Sequence, residues 1–155
     1  MPQIRKGGKF IFGWSIIKND FSIQFPTEAI NEYNICSEGK IFLITGSKTT
    51  GGFAVSKKTL MEKSIFSKLF FEYNDLQNYK TREGEFFQYK DRKYTWITIS
   101  NDGKIFLNKN ILNNLSLKIN DKLLSIRSSN IAFMMGVKGP LINAANNYDG
   151  IINTY

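Results

Sequence analysis

Histidine is absent from this 155-residue chain, cysteine occurs once, at Cys36, and proline three times. Without imidazole or a second thiol there is no disulfide, no zinc finger, no Cys/His nucleophilic pair and no imidazole acid/base chemistry. Little of the usual catalytic repertoire is left, so the expectation is a non-enzyme with no metal and no cofactor. Acids are scarce as well: 13 Asp and Glu against 21 Lys and Arg leave a formal charge of +8. No apolar run approaches the roughly 18 residues of a membrane span, and Met1 to Gly13 lacks the apolar stretch and cleavage site of a secretory signal. The expected location is the cytoplasm, with no membrane partner.

What the chain does have is internal repetition. Laid over itself at an offset of 82, Trp14–Ser47 falls on Trp96–Ser129 without a gap, with nine identities in 34 positions, among them Trp14/Trp96, Asp20/Asp102, Ile23/Ile105 and Lys40/Lys122. Seven further pairs, such as Phe25/Leu107 and Tyr33/Leu115, exchange one apolar side chain for another. Two copies are too few for a solenoid, but they can pair about a pseudo-twofold axis as the subunits of a homodimer do. The chain therefore reads as one compact unit over 1–155, divided into repeat 1 (14–56), a connector (57–93), repeat 2 (94–138) and a tail (139–155). With 42% hydrophobic and 14% aromatic residues it can bury one sizeable core.

The expected class is mainly β with short helices. In repeat 2, Tyr94 to Ile99 alternates, Asn101-Asp102-Gly103 signals a turn, and Lys104 to Leu107 follows, which predicts a half-buried hairpin. Asn108 is a helix cap ahead of an apolar face made by Ile111, Leu112 and Leu115. Lys122 to Arg127 and Ile131 to Val137 then predict two strands across the Ser128-Ser129-Asn130 turn. Repeat 1 follows the same grammar, with Pro26 at a helix start, Asn34 as its left-handed stop and Glu38-Gly39 at a turn. In the connector, Thr59-x-x-Glu62 has the form of a capping box and predicts a helix over about 60–72, with a strand at 86–89.

Asn101 to Asn108, followed by Ile111-Leu112, Leu115, Leu117 and Asp121-Lys122-Leu123, resembles the AbrB/MazE/SpoVT swapped-hairpin family, and Ile23 to Glu28 falls on the same register in repeat 1. The resemblance covers about half of the chain, and both halves in one polypeptide is the tandem arrangement of MraZ-type regulators. It implies a pseudo-twofold barrel of interleaved hairpins that binds DNA through the turn after the first strand and the nearby helix. The chain departs from the family pattern at Phe21, which replaces the turn glycine, and at Ser22, where repeat 2 has Lys104. The arginines usual on the DNA-facing helix fall on Leu112 and Asn113, and on Ile30 and Asn31.

Charge is unevenly shared. Residues 1–15 carry +3, from Arg5, Lys6 and Lys9; residues 16–56 carry −1 and residues 98–138 carry +4. A local basic excess suits phosphate contact through counterion release, although Lys, Asn and Ile are all abundant, as A/T-rich coding would also produce. The leading expectation is a DNA-binding transcriptional regulator that contacts double-stranded DNA through Lys104, Lys109, Arg5, Lys6, Lys9 and Lys18, with Asn101, Asn108 and Asn113 near base edges or phosphates. The alternative is an antitoxin-like or scaffolding barrel that has lost DNA binding and uses the aromatic connector helix to hold a protein partner or a second copy. Asp20 and Asp102, in equivalent turns, are the one carboxylate pair that symmetry could bring together, and a turn role explains both.

Overall fold

Alternation along the strands places apolar side chains on both faces, so each strand needs cover above and below. The computed structural model describes residues 2–4 and 8–155. Repeat 1 supplies β1 (Ile11–Ile16), β2 (Ser22–Gln24), α1 (Thr27–Tyr33), β3 (Lys40–Thr45) and β4 (Phe53–Ser56). The connector adds α2 (Lys58–Glu62), α3 (Ser67–Glu72), α4 (Asn74–Gln77) and β5 (Phe87–Tyr89). Repeat 2 supplies β6 (Arg92–Thr98), β7 (Lys104–Phe106), α5 (Lys109–Leu115), β8 (Lys122–Arg127) and β9 (Phe133–Gly136), and α6 (Pro140–Asn146) opens the tail. Among the described residues all pairings between these strands are antiparallel, in a seven-stranded sheet ordered β1-β8-β9-β4-β3-β6-β5 and a two-stranded ribbon of β2 and β7.

The pairing crosses between the sister segments. β1 lies against β8 with Trp14 opposite Leu124, and β6 lies against β3 with Trp96 opposite Phe42. The 82-residue offset carries one pair into the other. In the ribbon Ile23 faces its own counterpart, Ile105. At the centre of the sheet, Phe53 stands opposite Met135 and Val55 opposite Phe133.

The inner face of the sheet and the ribbon enclose the main core. Phe12, Leu43, Phe53, Leu123 and Phe133 from the sheet meet Ile23 and Ile105 from the ribbon and Ala29, Tyr33, Ile111 and Leu115 from α1 and α5. Edge-to-face contacts of Phe133 with Phe25 at 5.3 Å and with Phe12 at 6.2 Å fill its middle. The outer face is covered at its two ends by unrelated segments. Phe70, Leu76 and Tyr79 of the connector cover Phe42 and Trp96, whereas α6 and the tail cover Trp14, Leu124 and Ile126.

Three expectations are corrected. Among the described residues no closed barrel forms, because both edges of the sheet are occupied: β5 adds to the outer side of β6, and Thr154 bridges Trp14 on β1. Gly13, at φ 148°, lets that tail approach, since a Cβ there would lie 2.9 Å from the Asn153 carbonyl. The hairpin expected from β6 into β7 does not form either. β6 pairs with β3 and β5, β7 pairs with β2, and Asn101-Asp102-Gly103 links two different sheets. The helix expected over 60–72 is broken into α2 and α3, because the Ser64 hydroxyl donates to the Met61 carbonyl and accepts from the Phe66 amide, competing with the helical ladder.

Candidate nucleic-acid interface

The β2–β7 ribbon sets the geometry of the candidate interface. Ser22 pairs with Phe106 and Gln24 with Lys104, so the turn before each strand lies beside the far end of its partner. The turn at Lys18–Phe21 is joined to the chain leading into α5 by the Leu107 amide, which donates to the Phe21 carbonyl at 2.8 Å. The turn at Ser100–Gly103 is joined in the same way to the chain leading into α1, the Phe25 amide donating to the Gly103 carbonyl at 3.0 Å. Each turn therefore accompanies the helix of the other segment.

The two ends differ in charge. One has the exposed Lys18 and Asp20 in its turn and the exposed Lys109 as the first residue of the helix it accompanies, α5. The other has Asp102 in its turn and Glu28 in the first turn of α1. Lys104, half-buried on the ribbon, is shared between the ends. The Asp20 carboxyl is held below the usual carboxylate range first by the Ser22 hydroxyl and amide, and further by the Lys104 ammonium. That of Asp102 is lowered first by the Ser100 hydroxyl, and also by Lys104. Both carboxylates serve their turns, and both draw on the charge of Lys104.

The other predicted residues fall as follows. Asn101 is exposed in its turn. The Asn108 side chain accepts the Ile111 amide at 2.9 Å as the cap of α5. Asn113 is exposed on α5. Lys9 lies beyond the other end of β1 from Lys18, a strand of six residues spanning roughly 20 Å, and does not join the ribbon group. Arg5 and Lys6 lie outside the described residues.

Several basic residues of repeat 2 have internal roles that spacing did not reveal. The Arg127 Nε donates to Glu32 at 2.8 Å, Lys118 pairs with Asp121 at 3.0 Å, and Lys122 sits 4.2 Å from the centre of the Trp14 ring. Lys40 lies likewise over Trp96 at 5.9 Å and over Tyr79 at 5.1 Å. The clue was available, since Trp14/Trp96 and Lys40/Lys122 are both identities of the repeat. Leu112 is buried, and Ile30 packs against the main core, so neither position leaves room for a guanidinium at the surface.

Fold and site together define a mainly antiparallel β+α protein with a ribbon flanked by two short helices. No helix among the described residues is long and apolar enough to cross a membrane. No protein-family model matches the chain, and no curated protein matches it.

Proposed function

We propose that this chain is a DNA-binding regulator of the swapped-hairpin type, with both sister segments in one tandem, pseudo-twofold unit, and that it grips the duplex backbone through Lys18 and Lys109. The observation that carries this reading is the hydrogen bond from Leu107 to Phe21, which ties the turn bearing Lys18 in one segment to the chain that enters the helix beginning at Lys109 in the other. The crossed register, with Trp14 opposite Leu124 and Trp96 opposite Phe42, supports the swapped topology. Lysines at the surface, and Ile30, Asn31, Leu112 and Asn113 at the family's arginine positions, favour phosphate contacts over guanine reading, because lysine is a point charge and none of the four supplies the planar guanidinium fork. Recognition is then governed by charge and duplex shape.

The test is fluorescence anisotropy of a labelled duplex across a range of salt. Affinity should fall linearly with salt on a log–log plot, and Lys18→Ala/Lys109→Ala should reduce the slope by about 1.8, at roughly 0.9 per phosphate contact. Lys104→Ala should change it less, because that side chain is half-buried on the ribbon and has Asp20 and Asp102 in its field. An unchanged slope in the double variant would exclude this surface.

A second reading, a protein-interaction module that engages a partner or a second copy through the connector, is favoured by one observation. Phe71 on α3 is 92% exposed and Ile65, just before it, 82%. Light scattering of the free protein separates the two: a stable oligomer indifferent to DNA supports the second.

A further inference from the structure

The two unrelated covers on the outer face of the sheet stop short of each other. Between them a trough of about 920 Å³ crosses the central strands. Its floor is Ile44 on β3, Ala54 on β4, Met134 on β9 and Ile126 on β8, with Phe66 on one wall and Ile142 on the other. From Ile126 to Tyr94 on β6 the floor spans four strand spacings, roughly 19 Å. Its volume lies within the range of small-molecule sites.

The charged lining is of one sign: Lys9, Arg92 and Lys138 border the trough, and among the described residues no Asp or Glu does. Lys9 precedes β1 and Arg92 begins β6, so these cations flank the floor from opposite sides. A second copy of this chain would bring one basic rim against another on a molecule already at +8, which disfavours self-association through this face. A nucleic acid would leave the apolar floor uncovered.

We propose that this trough binds a free long-chain carboxylate, its acyl chain along the Ile44–Ala54–Met134–Ile126 floor and its carboxylate held at one side of the trough by a cation of the rim. The site is separate from the ribbon interface and does not depend on it. It also gives Lys9 a role that the ribbon does not.

Decanoate, kept below its micelle concentration, is titrated calorimetrically into the full chain, with decanol as the uncharged control. One decanoate per chain is expected, at least tenfold tighter than decanol, with about a tenfold loss for each two carbons removed from the acid. Ala54→Trp, which fills the floor, and the surface variant Lys9→Glu/Arg92→Glu/Lys138→Glu should each weaken binding at least tenfold. Near-ultraviolet circular dichroism checks that the charge variant keeps its fold. Should Ala54→Trp fail to fold, the charge variant decides alone. No heat with decanoate, equal affinity for decanol, or undiminished binding by the folded charge variant would overturn the proposal.

Discussion

At the scale of single residues, the identities of the repeat explain themselves once contacts are known. Trp14 and Trp96 are nearly buried, at 5% and 8% exposure, and each carries the ammonium of the matching lysine over its ring. Phe21 shows how a departure is tolerated. It keeps a left-handed backbone at φ 68° where its counterpart Gly103 has 85°, and its ring packs against the main core, offsetting a strain of about 1–2 kcal/mol. Tyr33 and Tyr79 give the clearest pH signature. Burial pushes both phenols up to about 12 from the ordinary value of 10.0. A folded pKa above the unfolded one means that the neutral form contributes stability below pH 10, which is lost as pH rises from about 10 to about 12. Spectrophotometric titration of the seven tyrosines should therefore show a late-ionising group that joins the main transition on denaturation, and Tyr33→Phe should shrink it. All seven ionising together near pH 10 in the folded protein would contradict this.

At the scale of elements, helix caps divide the repeats. α5 is capped by the Asn108 side chain, whereas α1 begins after Pro26 with no side-chain cap. Asn108→Ala should cost about 1 kcal/mol of stability, measured by urea denaturation, while Pro26→Ala removes no such bond. Much at this scale was legible in the sequence. The strand at Lys122–Arg127, the apolar face of Ile111, Leu112 and Leu115 and the left-handed Asn34 all follow from local pattern and turn chemistry. What was not legible depended on distant partners. The capping box at Thr59 fails because its hydroxyl donates to Glu38 at 2.6 Å, while Glu62 accepts from Gln77. The helix then starts after Lys57, whose ammonium reaches the Asn34 carbonyl and the Ser37 hydroxyl. α6 carried a signal in Pro140 at its first position, but its apolar residues are too few to stand out without the sheet they cover.

For the candidate site, the local setting of single residues was legible and their grouping was not. Lys109 stood out by its place at a helix start, yet the turn bonded to the chain entering that helix is Lys18–Phe21 of the other segment, because the Leu107–Phe21 hydrogen bond, not chain proximity, decides which turn accompanies which helix. Asn108 is occupied as a cap, and Lys104 lies near enough to Asp20 and Asp102 to lower both carboxyls, after the hydroxyls of Ser22 and Ser100.

At the scale of the molecule, the repeated parts build the main core and the unrepeated parts build the difference. The connector and the tail cover opposite ends of the outer face, block both sheet edges and leave the central trough open. All of this rests on the strands crossing between the segments. The most direct measurement is the set of cross-strand nuclear Overhauser contacts in the isotopically labelled protein. Backbone contacts are expected between Trp14 and Leu124 and between Phe42 and Trp96. Contacts of Trp14 with Phe42 and of Trp96 with Leu124 instead, each segment closing on itself, would contradict the account.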